Sequence, residues 1–235
     1  MKDITIIIPV FNEIKTIKKL LNKIINLKIK KQIIVVDDGS SDGTFDILKK
    51  HKKKIDKLIL HKKNLGKGAA IISAKKYIQG KYVAIQDGDL EYNPNDLVKI
   101  YNYLKKNNLD IVYGSRVLNK SKFQNTKNFT HFIRIWGNIF LTFVSNIINS
   151  QNLTDAHTCY KVFKSSIFKK IKLEEKGFAF CPEITTKISN KKYKIVELSI
   201  SYNGRTYEEG KKISSLDGLE ALYCLIKYRF FKSDN

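Results

Sequence analysis

Gln32–Thr44 reads QIIVVDDGSSDGT. An uncharged run with four β-branched residues gives way abruptly to Asp, Gly and Ser. Such a run, closed by turn formers, predicts a strand buried on both faces. The same design recurs on either side. Thr5–Val10 (TIIIPV) precedes Phe11-Asn12-Glu13, and Lys81–Ile85 (KYVAI) leads to Asp87-Gly88-Asp89-Leu90-Glu91. Asp110–Tyr113 (DIVY) leads to Gly114-Ser115-Arg116, and Lys57–Leu60 supplies one more short strand. Helical patterns separate them. Ile14, Ile17, Leu20, Leu21, Ile24, Ile25 and Leu27 form one stripe, further helices are predicted from Thr44 and over Gly66–Ile78, and Pro94 opens a helix running to Lys106. The alternation predicts an α/β fold: a doubly wound, mostly parallel sheet flanked by helices. Ligands bind such sheets at the carboxyl ends of the strands, where the polar clusters fall.

The second half is less regular. Phe129–Ile148 is an amphipathic helical stretch, read either as a core helix or as one lying on a membrane. Pro182–Asn190 predicts a short helix, Lys194–Ser201 an edge strand, and Leu216–Phe231 a last helix with Lys227, Arg229 and Lys232 near its end. The expected organisation is one domain over residues 1–212 and a C-terminal amphipathic helical extension over 213–235.

The chain has 235 residues, enough for one sizeable core, and 43% hydrophobic content with 3 Pro excludes a disordered or collagen-like chain. Its three cysteines have no CxxC spacing, which argues against a disulfide framework or a zinc site and for a reducing compartment. The N-terminus lacks the pattern of a signal peptide, and no apolar run is long enough to span a bilayer. The net charge of +22 comes from 44 Lys+Arg against 22 Asp+Glu. Only four of those cations are Arg, while 40 Lys, 33 Ile and 19 Asn fill about two-fifths of the chain, a bias that A/T-rich codons explain. The scarce arginines therefore carry more information than the lysines, because guanidinium grips phosphate or carboxylate with two prongs.

Any one polar cluster after a strand is an ordinary turn; four in order along one sheet edge are a site. Together IIIPVFNE, VVDDGSSDGT, NLGKGAA, QDGDLE and YGSR resemble the family-2 glycosyltransferases, and among them the polyprenyl-phosphate (dolichol-phosphate) hexose synthases. The likeness is strong over the first 115 residues and continues in LTDAHTCYKVFK and ISYNGRTYEEGKKI.

The resemblance implies a GT-A fold, a nucleoside-diphosphate sugar and a divalent cation, Mg²⁺ or Mn²⁺. Asp87, Gly88 and Asp89 occupy the place of the family's DXD, usually spelled with Ala in the middle; Asp87, Asp89 and Glu91 are the implied metal ligands. Pro9, Phe11, Glu13, Val36, Asp37 and Asp38 match positions that line the nucleoside pocket, with the division of labour between the two Asp left open. NLGKG reads either as a weak phosphate loop or as close helix packing.

A lipid phosphate is already anionic at neutral pH and needs cations, not a general base. Arg116, Arg134, Arg205 and Lys211 are the implied acceptor-phosphate ligands, and Asp155 in LTDAH is implied near the sugar, to bind hydroxyls or align the acceptor. Asp89, Asp155 and Arg205 are thus the expected catalytic set. His51 and His61 fall in Lys-rich, surface-like stretches; His157, inside LTDAHTCYK, is read either as a sugar neighbour or, by preference, as a residue with no such role.

The expected reaction is an inverting hexosyl transfer to a polyprenyl phosphate by a protein peripheral to the cytoplasmic membrane face, with an integral membrane partner left open. The alternative acceptor is a hydroxyl on a glycan or lipid, with Asp155 or another carboxylate as base. A nucleic-acid-binding module is disfavoured, since the cations are spread along the chain with no recognition motif.

Overall fold

The computed structural model describes residues 2–118, 129–205, 210 and 215–232, with the backbone alone at 129–135 and 215. Seven strands, β1 (Ile4–Val10), β2 (Lys31–Asp37), β3 (Lys57–Leu60), β4 (Tyr82–Ile85), β5 (Ile111–Ser115), β6 (Lys161–Lys164) and β7 (Ile195–Ser199), form one sheet. Their spatial order is β3-β2-β1-β4-β6-β5-β7. All but β6 run the same way. The helices are α1 (Ile17–Ile25), α2 (Thr44–Lys50), α3 (Lys67–Lys75), α4 (Pro94–Lys106), α5 (Phe129–Asn149), α6 (Ser165–Lys170), α7 (Phe180–Asn190) and α8 (Ser215–Ile226).

β1 shows why its sequence is apolar throughout: every residue is buried, between β2 on one side and β4 on the other. The chain steps from β1 through β2 to β3, then returns past β1 to β4. Right-handed crossovers put α1 and α2 on one face and α3 and α4 on the other. The reversal lies between β1 and β4, which opens the ligand crevice of a doubly wound sheet at the carboxyl ends of those two strands. The helix Pro94–Lys106 has the predicted bounds, with Asn93 capping Asn95 N–H by its side chain.

One strand and one helix go beyond the sequence reading. KVFK forms β6, antiparallel between β4 and β5, and the following residues form α6. Because β6 runs backwards, the LTDAHTCY segment before it arrives at the same sheet edge as the ends of the parallel strands. The C-terminal helix is packed against α5 and α7, and Cys224 and Tyr228 bury against Ala179. The boundary expected at residue 212 lies outside the described residues. Among the described residues no helix is long and apolar enough to cross a membrane.

Candidate active site

Phe11–Glu13 follows β1, Asp37–Asp38 closes β2, Asp87–Asp89 follows β4 and Arg116 follows β5, so one edge gathers all four clusters. Pro9 and Val36 face each other in register at the ends of β1 and β2, both buried. The two adjacent aspartates divide their work. Asp38 holds the next loop: its Oδ1 pairs with His61 Nδ1 at 2.6 Å and accepts Leu65 N–H, and its Oδ2 accepts Gly66 N–H. Asp37 accepts Ser40 N–H at 2.9 Å through Oδ1, while its buried Oδ2 has no hydrogen-bond partner.

The NLGKG segment is a clamp rather than a phosphate loop. Gly68 N–H donates to Gly177 O and Ala69 N–H to Lys176 O, so these first amides of α3 are satisfied by protein. A Cβ at Gly66 would stand 2.4 Å from Lys176 O, and one at Gly68 only 2.0 Å from Glu175 O. Only glycine permits that approach. Between them Lys67 sends its ammonium to Asp87, Nζ to Oδ1 at 2.6 Å, with both side chains mostly buried. Burial opposes that charge, but Asp87 outweighs it and holds the ammonium well above its ordinary pKa.

Arg205 is the hub of the opposite side. Its guanidinium takes both oxygens of Glu13 at 3.0 Å and one of Asp89 at 3.1 Å. Its backbone N–H donates to Glu91 Oε1 at 2.8 Å, and Tyr202 O–H donates to Glu91 Oε2 at 2.9 Å. A bridge between Tyr92 and Tyr202 carries this segment across the crevice. Burial pushes the Asp89 carboxyl up to about 7, with repulsion from Asp87 and Glu91 adding and Arg205 opposing.

Arg116 is turned inward. Its Nε and Nη2 bind the two oxygens of Asp155 at 2.7 and 2.8 Å, its backbone N–H adds a third bond at 3.0 Å, and its guanidinium lies over the Tyr202 ring. Asn138 of α5 bonds both partners. Asp155 has no exposed surface. Burial would raise its pKa, but Arg116 and its hydrogen bonds win and hold it below the carboxylate range. Glu197 fastens the loop from beneath, accepting Thr154 and Asp155 N–H.

These contacts revise several expectations. Glu91 spends both oxygens on Tyr202 and Arg205, so it braces the Arg205 segment instead of completing a metal trio. Among the described residues no three carboxylate, thiol or imidazole groups form a metal cage. Asp87 and Asp89 still fit a divalent cation whose remaining ligands come from a nucleotide: two hard oxygen donors at a strand end, one of them with its pKa raised by burial and by the neighbouring carboxylates. Asp155 is sealed from any substrate and acts through Arg116. Glu13, expected in the nucleoside pocket, pairs both its oxygens with Arg205. His61 is largely buried on Asp38, not on the surface. Only the backbone of Arg134 is described, and Lys211 lies outside the described residues. Sequence reasoning missed His61, Lys67 and Glu197 as site-forming groups. The available signals were that His61 directly follows a strand and that Lys67 stands inside a quoted motif.

A carboxylate pair after β4, at the switch point of a mixed sheet with one antiparallel strand, is the arrangement the GT-A resemblance implies. The chain belongs to glycosyl transferase family 2, whose model matches residues 5–172. It is 27% identical to the UDP-N-acetylglucosamine–dolichyl-phosphate N-acetylglucosaminyltransferase of Methanococcus voltae over 98% of both chains. It is also 27% identical to a dolichyl-phosphate beta-glucosyltransferase of Trichomonas vaginalis, over 85% of this chain and 65% of that one. Glucosyl-3-phosphoglycerate synthase from Mycobacterium tuberculosis, crystallised with Mg²⁺ and UDP, superposes with a TM-score of 0.71 at 13% identity, covering 100% of this chain and 81% of that one. That last likeness concerns the fold.

Proposed function

We propose that this enzyme transfers a hexosyl group from a nucleoside-diphosphate sugar to a polyprenyl (dolichyl) phosphate, with inversion, on the cytoplasmic face of a membrane. The observation that supports the reading is the guanidinium of Arg205, one of only four arginines, held by Glu13 against Asp89 of the DXD. In this reading an arriving acceptor phosphate draws that guanidinium away from its carboxylates. The names of the relatives agree, since two of them act on dolichyl phosphate. The three cysteines are free and buried, as in a reducing compartment.

In this reading Asp37 offers its orphan oxygen to the nucleoside, with Pro9, Phe11, Val36 and Asp38 shaping the pocket. Asp87 and Asp89 hold Mg²⁺ or Mn²⁺, which as a Lewis acid offsets charge on the departing diphosphate. Arg205, with Arg134 and Lys211 by motif position, orients the acceptor phosphate; Arg116 sets the floor beneath it through Asp155 and Asn138. One phosphate oxygen attacks the anomeric carbon as the bond to the diphosphate breaks on the opposite side. The attacking oxygen is already anionic, so no proton has to be removed. The hydroxyl-acceptor alternative with Asp155 as base is disfavoured, because that carboxylate is sealed and its pKa is lowered.

The test offers UDP- and GDP-linked radiolabelled glucose, mannose and N-acetylglucosamine with polyprenyl phosphate. Butanol-extractable label should form from one donor, stop in EDTA and return with Mn²⁺ or Mg²⁺. Transfer only to hydroxyl acceptors would overturn the acceptor assignment, and full activity in EDTA would overturn the metal assignment.

A further inference from the structure

Each DXD carboxylate carries a protein cation: Asp87 has Lys67 and Asp89 has Arg205. The two cations differ in how they are held. Arg205 sits on a segment joined to the body through Glu91 and Tyr202. Lys67 is fixed by backbone on both sides, since Gly66 N–H is bound by Asp38 and the amides of Gly68 and Ala69 by the 176–177 carbonyls. Its side chain therefore starts from a fixed backbone and reaches Asp87 at 2.6 Å.

A cation 2.6 Å from a metal-binding oxygen repels a divalent ion and competes with it for the lone pairs. A nucleoside diphosphate reverses that balance. Its oxygens ligate the metal, and an ammonium has three donors, so Lys67 can hold Asp87 and a diphosphate oxygen together. We propose that Lys67 is the resident counter-ion of the DXD, a positioning residue that makes the metal and the nucleotide diphosphate enter as a pair. The inference rests on the donor reading above and adds to it the order of events: the bare protein binds metal weakly, and the nucleotide diphosphate brings the anionic oxygen ligands that keep it.

Two measurements on the full chain test this. Free Mn²⁺ is followed by its EPR signal without nucleotide, and UDP and GDP binding is followed by calorimetry with Mn²⁺ in excess. Lys67→Met, close in shape and uncharged, should bind Mn²⁺ alone roughly tenfold more tightly and the preferred nucleotide roughly tenfold more weakly than wild type. Lys67→Arg should restore the weak binding of Mn²⁺ alone. A purely structural role for Lys67 would weaken both interactions together. Lys67→Met protein that is folded by circular dichroism yet binds Mn²⁺ alone no more tightly than wild type overturns the proposal. If wild type binds neither UDP nor GDP with Mn²⁺ present, the donor reading itself falls, a result separable from the first.

Discussion

At the scale of single residues, burial separates chemistry from support. Asp155 looks catalytic in the motif and is structural in place. Asp155→Ala leaves the Arg116 guanidinium buried without its carboxylate, a change that costs roughly 3–5 kcal/mol. Thermal unfolding should show a large drop; a melting temperature near wild type with activity lost would return Asp155 to the chemistry. Asp89 is the opposite case. Folding pushes its carboxyl up to about 7, so the charged form is disfavoured there, and Asp89→Ala should abolish transfer while leaving the melting temperature at or above wild type. Gly88→Ala should keep both activity and stability, because the new Cβ would meet only ordinary contacts at 3.5 Å. His157 supplies the pH dependence. Burial lowers its pKa from 6.5 to about 4. Below pH 6.5 the unfolded chain takes up a proton that the folded chain refuses. Stability is thus lost as pH falls from 6.5 toward 4, by roughly 3 kcal/mol, and levels off below. Denaturant titrations across that window should show the slope in wild type and not in His157→Leu. Individual roles were only partly legible. DXD and the arginines announce themselves by type and spacing, whereas His61, Lys67 and Glu197 gain meaning only from partners 23, 20 and 42 residues away.

Elements were easier to read than residues where burial imposes a pattern. β1 and β2 are buried on both faces and so are apolar in sequence; α4 carries its own cap and its Pro. β6 was hidden because four residues, two of them Lys, look like loop, and Lys161 is buried only by placing its ammonium on the Ala156 and Thr158 carbonyls. The site depends on a relay of such elements. Glu183 of α7 accepts Glu174 and Glu175 N–H, which sets the 175–177 backbone that clamps the start of α3 and hence aims Lys67. Lys227, Tyr228 and Lys232 of the C-terminal segment close on Glu174 and Glu175 from the other side. Gly68→Ala should therefore be far more damaging than Gly88→Ala. The methyl would drive the 175–177 segment off α3, with a loss of roughly 1–3 kcal/mol and of nucleotide binding together. Retention of full nucleotide affinity in Gly68→Ala would show that the clamp does not position the site.

At the scale of the whole molecule, α5 is amphipathic the wrong way round for a core helix. Its polar side turns inward, where Asn138, Thr142 and Asn146 hydrogen-bond the Leu153–Ala156 loop. Its outer side exposes Trp136, Phe140, Phe143 and Ile147, each more than half accessible. The adjoining α8 also exposes Leu216, Leu219 and Tyr223, and the segment after it exposes Phe230. The sequence left open whether this segment was core or interface, since periodicity reveals a stripe and not which side faces water. The basic residues near the end of the C-terminal helix have protein partners: Lys227 and Lys232 pair with Glu175 and Glu174, and Arg229 with Asn190. We propose a bilayer surface as the occupant, because the same α5 that exposes these rings holds Arg116 and Asp155 through Asn138, so docking places a lipid phosphate beside the site. Apolar insertion, not charge, should then dominate. Flotation with zwitterionic phospholipid vesicles should show binding that survives high salt. Trp136→Glu with Phe140→Glu should cut it roughly a hundredfold, at about 1–2 kcal/mol per ring withdrawn, with nucleotide binding unchanged. Binding confined to anionic vesicles and abolished by salt would assign docking to the Lys-rich surface and leave these two helix faces without that role.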